Sequence, residues 1–186
     1  MLTNKTGYER EYVARYDEEY EYWDTYVSKQ TDYYDDGSVS VTLYNEDGDT
    51  VYSEDTFADG TRQVFKYDEN GNLIEYTVYD ASGTVTGGQL YYYEYDGNGN
   101  TTYHYSTYFD GKMVYEIEYG AEYIEEYGEW KSYRIKYTEY FHDAGMTQKM
   151  VTEYYKNDNI KSFVYYNYDG SVIRSEYYDE DGNLIG

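Results

Sequence analysis

Hydrophobic and polar residues alternate along most of the chain. Met113, Tyr115 and Ile117 share one parity, whereas Glu116 and Glu118 share the other. The same period of two recurs over residues 73–78 and 133–141. Alternation with aromatic and β-branched enrichment is typical of half-buried β-strands. The pattern predicts a succession of short strands with no helix between them.

Glycines punctuate these strands at regular intervals. Successive turn glycines from position 37 to position 83 lie 11, 12, 11 and 12 residues apart, so two turns form a unit of 23 residues. Asp or Asn precedes most of them and hydrogen-bonds the local backbone, while glycine adopts positive φ without steric cost. Such loops close β-hairpins. The predicted turn glycines are Gly37, Gly48, Gly60, Gly71, Gly83, Gly99, Gly111, Gly145, Gly170 and Gly182. Between Gly145 and Gly170, Asn159 takes the place of a glycine.

The strand spacing predicts an all-β fold, an antiparallel β-hairpin repeat meander. Parallel strands would need long crossover connections, for which the chain has no room. About twelve strands approach the limit of an open twisted sheet, which leaves a curled sheet, a sandwich, or an elongated twisted sheet or repeat ribbon. The likeness between units favours the ribbon. We expect a single β-repeat domain over residues 1–186, with repeat units at 33–119 and 131–186.

Two segments depart from this rhythm. Residues 1–32 lack turn glycines and form an atypical N-terminal segment. Tyr8, Tyr12, Tyr16 and Tyr20 are four apart, which fits a helix face as well as alternation, but enrichment in Tyr, Val, Trp and Thr favours strands. Residues 120–130 break the alternation, and we predict an irregular insertion or longer loop there.

Composition changes the picture of what holds the sheet together. The chain has 34 Tyr and a net charge of −24. A low aliphatic content with high charge is typical of disorder. Tyrosine reverses that expectation, because each ring buries a large area and has a high strand propensity. We therefore expect cross-strand tyrosine pairs to stabilise the sheet.

The charge also restricts the partners. It disfavours nucleic acid and anionic membranes, and no apolar run is long enough to span a membrane. The N-terminus has no apolar signal segment, and the absence of Cys excludes disulfides and thiolate metal sites. We expect self-association or another protein as partner, a basic one included. A neutral glycan is an alternative ligand, since Trp23 and Trp130 are suited to stacking on sugar rings.

Candidate chemistry is sparse. The sequence has no nucleophile, zinc or phosphate-loop motif, so we expect no enzyme and no cofactor. The two histidines, His104 and His142, are expected to be ordinary strand and turn residues. Calcium is the one metal to consider, because oxygen donors flank turn glycines at alternate positions. The candidate ligands are Asp47, Asp49, Asp179 and Asp181, although hairpin turn chemistry explains the same residues.

The turn motif carries a resemblance. Residues 67–74 (Tyr-Asp-Glu-Asn-Gly-Asn-Leu-Ile) and 178–185 differ at one position, with looser copies between them. The motif resembles the YD repeats of the Rhs-type family, which implies a noncatalytic scaffold of hairpin strips, as in shells around toxin domains or stalk-like surface parts. This chain is too short to enclose a cargo. A second resemblance is to MORN-like hairpin repeats, which occur in small antitoxin or immunity proteins.

These features together favour a noncatalytic structural or adhesive β-repeat module of a bacterial secreted or cell-surface protein. One alternative is an acidic immunity or antitoxin-type protein, cytoplasmic, that binds a basic partner. Another is a glycan-binding module. Residues 171–186 look like an interior repeat, so we expect the C-terminal edge to pair with another copy, building a filament, or with a further repeat of a longer protein.

Overall fold

The computed structural model describes residues 4–186, which form thirteen antiparallel strands and no helix. The all-β, antiparallel hairpin meander is thereby confirmed. The strands are β1 (Lys5–Asp17), β2 (Tyr22–Tyr34), β3 (Val39–Tyr44), β4 (Thr50–Thr56), β5 (Arg62–Tyr67), β6 (Leu73–Tyr79), β7 (Val85–Tyr95), β8 (Thr101–Tyr108), β9 (Met113–Ile124), β10 (Glu129–Asp143), β11 (Met146–Tyr154), β12 (Ile160–Tyr166) and β13 (Val172–Tyr177). The chain divides into two compact units, one up to Leu90 and one from Tyr91. Within each unit the strand order follows the chain order.

Most of the turns share one five-residue geometry. In residues 68–72 the Asp68 amide donates to the Asn72 carbonyl (2.9 Å), and the Gly71 amide donates to the Asp68 carbonyl (3.1 Å). The Asp68 carboxylate accepts from the amides of Asn70 (2.9 Å) and Asn72 (2.8 Å). In the turn of residues 57–61 the carboxylate comes from the third residue, because Asp59 accepts from the Thr61 amide (2.9 Å). All ten predicted turn glycines have positive φ, between 79° and 89°.

Two turns differ from the sequence expectation. The residue that takes the glycine position near 159 is Asp158, with φ of 65°, and Asn159 follows it. Ala144 and Gly145 form a two-residue turn between Asp143 and Met146, with φ of 45° and 82°. Positive φ at both central residues is the type I′ geometry, which matches the twist of the flanking strands.

The atypical segments belong to two long hairpins. From residue 5 onwards the N-terminal segment forms β1 and β2, as its strand composition predicts; residues 1–3 lie outside the described part. Residues 120–124 continue β9 and residues 129–130 begin β10, so only the four residues 125–128 form a turn. Gly120 pairs with Tyr133 within the β9–β10 ladder, and its lack of a side chain leaves room for the Tyr133 ring. A Cβ at Gly120 would approach that ring to 2.5 Å.

The interior of the sheet is thin. Among residues 4–186 the one buried hydrophobic side chain is Val64. The other buried positions are small hydroxyl residues: Ser38, Thr77, Ser106, Thr138, Thr152 and Ser162. Aromatic rings pack across neighbouring strands, with centroids 4.6 Å apart for Tyr92 and Tyr105 and 5.0 Å apart for Phe65 and Tyr76. Small residues leave room for such rings to lie flat on the sheet.

Candidate binding surfaces

The turn carboxylates are engaged by their own turns. Asp179 accepts from the Asn183 amide (2.8 Å), and this backbone bond, with that of the Asn183 side chain, lowers the pKa of the Asp179 carboxyl. Asp49 is likewise held by the side-chain amide of Asn45 (3.3 Å). No three acidic or histidine side chains within residues 4–186 come together in a group that would hold a metal ion. The calcium candidates Asp47, Asp49, Asp179 and Asp181 are thus turn residues that the fold does not assemble into a cage.

The two histidines lie among aromatic and polar strand residues. The His104 ring stacks on Tyr93 with centroids 4.3 Å apart and meets the edge of Tyr115 at 5.3 Å. Burial lowers the pKa of His104, so its neutral form is favoured. The end of β10 holds His142, whose Nε2 contacts the Met113 carbonyl oxygen (2.5 Å) and whose Nδ1 contacts the Thr147 hydroxyl (2.9 Å). These contacts are those of structural residues in a sheet.

In the second unit the half-buried carboxylate of Glu116 accepts hydrogen bonds from two tyrosine hydroxyls. Tyr140 donates to it across 2.8 Å, and Tyr103 donates to its other oxygen. Burial acts to raise the pKa of Glu116, but the two phenol hydrogen bonds and Lys136 outweigh it and lower the pKa. Burial and the bond to Glu116 raise the pKa of both phenols. An ionised carboxylate held by phenols in this way ties neighbouring strands together.

Each unit carries one hairpin that extends beyond its neighbouring strands. In the first unit β3 pairs with residues 29–33 of β2, so residues 12–27 pair only within the hairpin. In the second unit β8 pairs with β9 only as far as Glu118, and β11 pairs with β10 only from Lys136. Residues 119–134 therefore pair only within their own hairpin. We call residues 12–27 and 119–134 the first and second projecting hairpins.

The two hairpins are copies of one sequence. Residues 8–34 match residues 115–141 at a constant offset of 107, with 14 of 27 positions identical. The identical pairs are Tyr8/Tyr115, Glu9/Glu116, Glu11/Glu118, Tyr12/Tyr119, Ala14/Ala121, Tyr16/Tyr123, Glu18/Glu125, Glu19/Glu126, Tyr20/Tyr127, Trp23/Trp130, Tyr26/Tyr133, Lys29/Lys136, Thr31/Thr138 and Tyr33/Tyr140. A search for the 23-residue turn rhythm misses this longer period, whereas comparing the chain with itself at every offset finds it.

Structure supports the same equivalence at the base of each hairpin. The register slips by one residue at Ser28 in the first copy and at Ile135, 107 positions later, in the second. Directly beyond the bulge an ion pair joins the two strands. Lys29 meets Glu11 at 2.7 Å, and Lys136 meets Glu118 at 2.5 Å. In both copies the carboxylate raises the pKa of the lysine.

A second ion pair reverses its charges between the copies. Arg15 lies 3.9 Å from Glu46 in the turn between β3 and β4. At the equivalent place Glu122 lies 2.6 Å from Lys156, in the turn between β11 and β12. An exchange of both signs keeps the attraction. The projecting hairpin is therefore held against the same neighbouring turn in each unit.

The tips are closed alike and are rich in exposed aromatic residues. Four-residue turns, 18–21 and 125–128, place Glu21 (φ 54°) and Gly128 (φ 68°) at the same point. Tyr16 packs across the strands on Trp23, with centroids 5.4 Å apart at 56°. Tyr123 and Trp130 pair likewise, 5.6 Å apart at 60°. Tyr20 and Tyr127, in the turns themselves, are 68% and 67% exposed.

The fold and these surfaces define a class, an acidic β-hairpin repeat protein with two projecting aromatic hairpins. No family model matches the sequence, and no curated protein matches it. Among solved structures, the chain is similar to the Tc holotoxin pore of Photorhabdus luminescens bearing a point mutation in TccC3, at 11% identity and a TM-score of 0.43. The similarity covers 94% of this chain and 10% of that chain. No helix within residues 4–186 has the length and apolar character to cross a membrane.

Proposed function

We propose that the chain is a noncatalytic β-repeat module with a structural or adhesive role in a bacterial secreted or cell-surface protein. The observation that carries the proposal is the duplicated projecting hairpin. Both copies keep large aromatic side chains where they are in contact with water. Exposed apolar groups of this kind are stabilised by burial against a partner and mark interaction sites.

The rest of the sheet serves as the support for these hairpins. Every strand is hydrogen-bonded to strands adjacent in sequence, and the five-residue turns repeat the same local geometry. The resemblance of the turn motif to YD repeats agrees with a scaffold role. The C-terminal edge adds a second surface for association, since Val172 and Ile173 in β13 are more than half exposed.

An acidic immunity or antitoxin-type protein is the second candidate. The net charge of −24 favours it, because a surface of one sign attracts a basic partner and accelerates the encounter. Such a protein would act in the cytoplasm. The two candidates therefore differ in where the protein is found.

Cell fractionation separates the two functions. With an antiserum against this chain, culture medium, intact cells treated with protease, and cytosol of the source bacterium are compared. A module of a secreted or surface protein is expected in the medium or in the protease-sensitive surface fraction. Recovery from the cytosol alone, protected from protease in intact cells, would overturn the surface role and favour the immunity type.

A further inference from the structure

We infer that the tip of each projecting hairpin binds a Lys or Arg side chain in a basic segment of a partner protein, so that one chain carries two equivalent cation-binding sites. The inference rests on the proposed function in treating the chain as a binding module, and it identifies the partner by its chemistry. The tips are residues 16–23 and 123–130, which share the pattern Tyr-x-Glu-Glu-Tyr-x-x-Trp.

The indole rings supply the first half of the site. Trp23 is 69% exposed and Trp130 is 43% exposed, although each packs on one side against a tyrosine. Packing across the strands fixes the ring and leaves its outer face in water. The face of an indole carries negative potential and attracts ammonium and guanidinium groups more strongly than other rings do.

Adjacent carboxylates supply the second half. Glu18, Glu19, Glu125 and Glu126 are exposed, and within residues 4–186 no hydrogen bond or ion pair engages their side chains. Turn chemistry does not account for them, because tight turns favour Gly, Asn, Asp and Ser. In the first tip the turn amides of Glu19 and Tyr20 are satisfied by Asp17 instead. Two free glutamates in the short turn that joins the strands of the aromatic pair, kept in both copies, suit a cationic ligand.

Five of the fourteen identical pairs of the two copies lie in the tips: two tyrosines, two glutamates and the tryptophan. Positions that differ include Arg15/Glu122 and Asp24/Lys131 on the strands beside the tips, where the sign of charge has changed, and Tyr22/Glu129 within the tips. The tyrosine and the tryptophan pack on each other in both copies, whereas the glutamate pair contributes nothing to packing, so the retention of the glutamates is explained by a shared ligand.

Neither a sugar nor a second copy of this chain fits the tips as well. A sugar ring and a cation use the same exposed indole face, so the glutamates distinguish the two ligands. A neutral glycan gains no charge attraction from the glutamates. Two acidic tips repel each other, which disfavours tip-to-tip association between copies.

Tryptophan fluorescence tests the inference directly, because Trp23 and Trp130 are the two tryptophans of the chain. Selective excitation of indole avoids the tyrosines. The probe is a short end-blocked peptide of alternating Arg and Gly, with a Gln and Gly peptide and a neutral cello-oligosaccharide as comparison ligands. Trp130→Phe and Trp23→Phe variants report the first and second tip separately. We expect the arginine peptide to change the emission of both variants saturably and with similar affinity.

Charge-matched variants distinguish a tip site from general attraction to an acidic protein. Trp23→Leu with Trp130→Leu leaves every charge in place, and a peptide label then reports binding. The affinity should fall about two- to fivefold per tip, the effect of losing one exposed cation–π contact. Glu18→Gln with Glu19→Gln should weaken binding at the first tip more than Glu69→Gln with Glu180→Gln, two exposed turn glutamates elsewhere.

Three results would overturn the inference: unchanged emission with the arginine peptide, equal losses from tip and control glutamates, or a response to the oligosaccharide alone. Circular dichroism of each variant shows whether the sheet is intact; Glu→Gln retains size, and Trp→Phe keeps an aromatic ring at each site. A cytosolic location with an intact tip response would overturn the surface role while leaving the tip site standing. A surface location without a tip response would do the reverse.

Discussion

At the scale of single residues, glycine conformation determines where the chain reverses. Gly71 has φ of 79°, and a Cβ there would meet nothing within 4 Å. Gly71→Val should therefore destabilise the protein by more than ~1 kcal/mol through backbone strain alone. Urea unfolding measures the change. Gly87→Val is the matched control, since Gly87 lies in β7 with equal space and without positive φ; an equal loss in both variants would contradict the turn argument.

The phenols respond to alkaline pH. Burial, followed by the hydrogen bond to Glu54, raises the pKa of Tyr52 to about 12, and burial raises the pKa of Tyr103, Tyr115 and Tyr140 as well. A phenol with a raised pKa in the folded state stabilises the fold fully below about pH 10, the unfolded value, and progressively less above it. Urea midpoints should be level between about pH 7 and 9 and fall above about pH 10.

Phenolate absorbance checks the same prediction. The four tyrosines named above should ionise above about pH 10, and the loss of stability should coincide with that phase of the absorbance change. Tyr103→Phe removes one of the raised phenols and should make the alkaline fall less steep. A urea midpoint that does not change between neutral pH and pH well above 10 would contradict the assignment.

At the scale of elements, the alternation and the turn residues suffice to predict strands and hairpins. The turn rhythm identified the ten turn glycines, but it could not show that another glycine accommodates an aromatic ring. Gly120 is the example, because only the pairing of β9 with β10 shows that Tyr133 lies over it. Trp23 and Trp130 were predicted to suit stacking on sugar rings, but their place on two projecting tips was not predicted, since it depends on how far the neighbouring strands extend. The 107-residue duplication, however, was available from the sequence.

The reversed ion pair yields a prediction about the first projecting hairpin. Arg15→Glu places a carboxylate beside both Glu46 and Asp24 and should destabilise the hairpin, and adding Glu46→Lys should recover the part of the loss that belongs to the neighbouring turn. The coupling of an exposed pair is small, under ~1 kcal/mol. A double-mutant cycle on urea midpoints at low salt measures it. Additive effects of the two substitutions would show that the pair does not hold the hairpin.

At the scale of the whole chain, like charges dominate the electrostatics. Thirty-eight acidic residues against fourteen basic ones leave a net charge of −24. Their repulsion weakens the folded state, and salt screens it, so sodium chloride should raise the urea midpoint. Micromolar calcium should add no more than its ionic strength does. A selective response to calcium would instead restore Asp47, Asp49, Asp179 and Asp181 as ligands, and equal midpoints at low and high sodium chloride would show that repulsion is insignificant.

The C-terminal edge is the place where copies are expected to associate. The last residues fold back on β13, where Tyr177 donates to the Gly186 carbonyl (2.7 Å) and accepts from the Ile185 amide (2.8 Å). Val172 and Ile173 lie at the other end of β13 and are exposed. Light scattering should show ordered association promoted by salt, and Val172→Lys should reduce it while Val85→Lys in β7 does not. Monomers at high protein and salt concentrations would rule out self-assembly.

Contacts between strands that are neighbours in sequence have a genetic consequence. A segment of 23 residues begins and ends at equivalent points of the turn rhythm, so copying it in frame adds one hairpin without breaking any existing pair. Unequal crossing-over between similar stretches of the coding sequence would lengthen or shorten such a protein in single steps. A copied segment that includes residues 8–34 or 115–141 would add a further projecting hairpin. A population of related genes would then vary in the number of tips per chain, and with it in avidity, without any change in the tip itself.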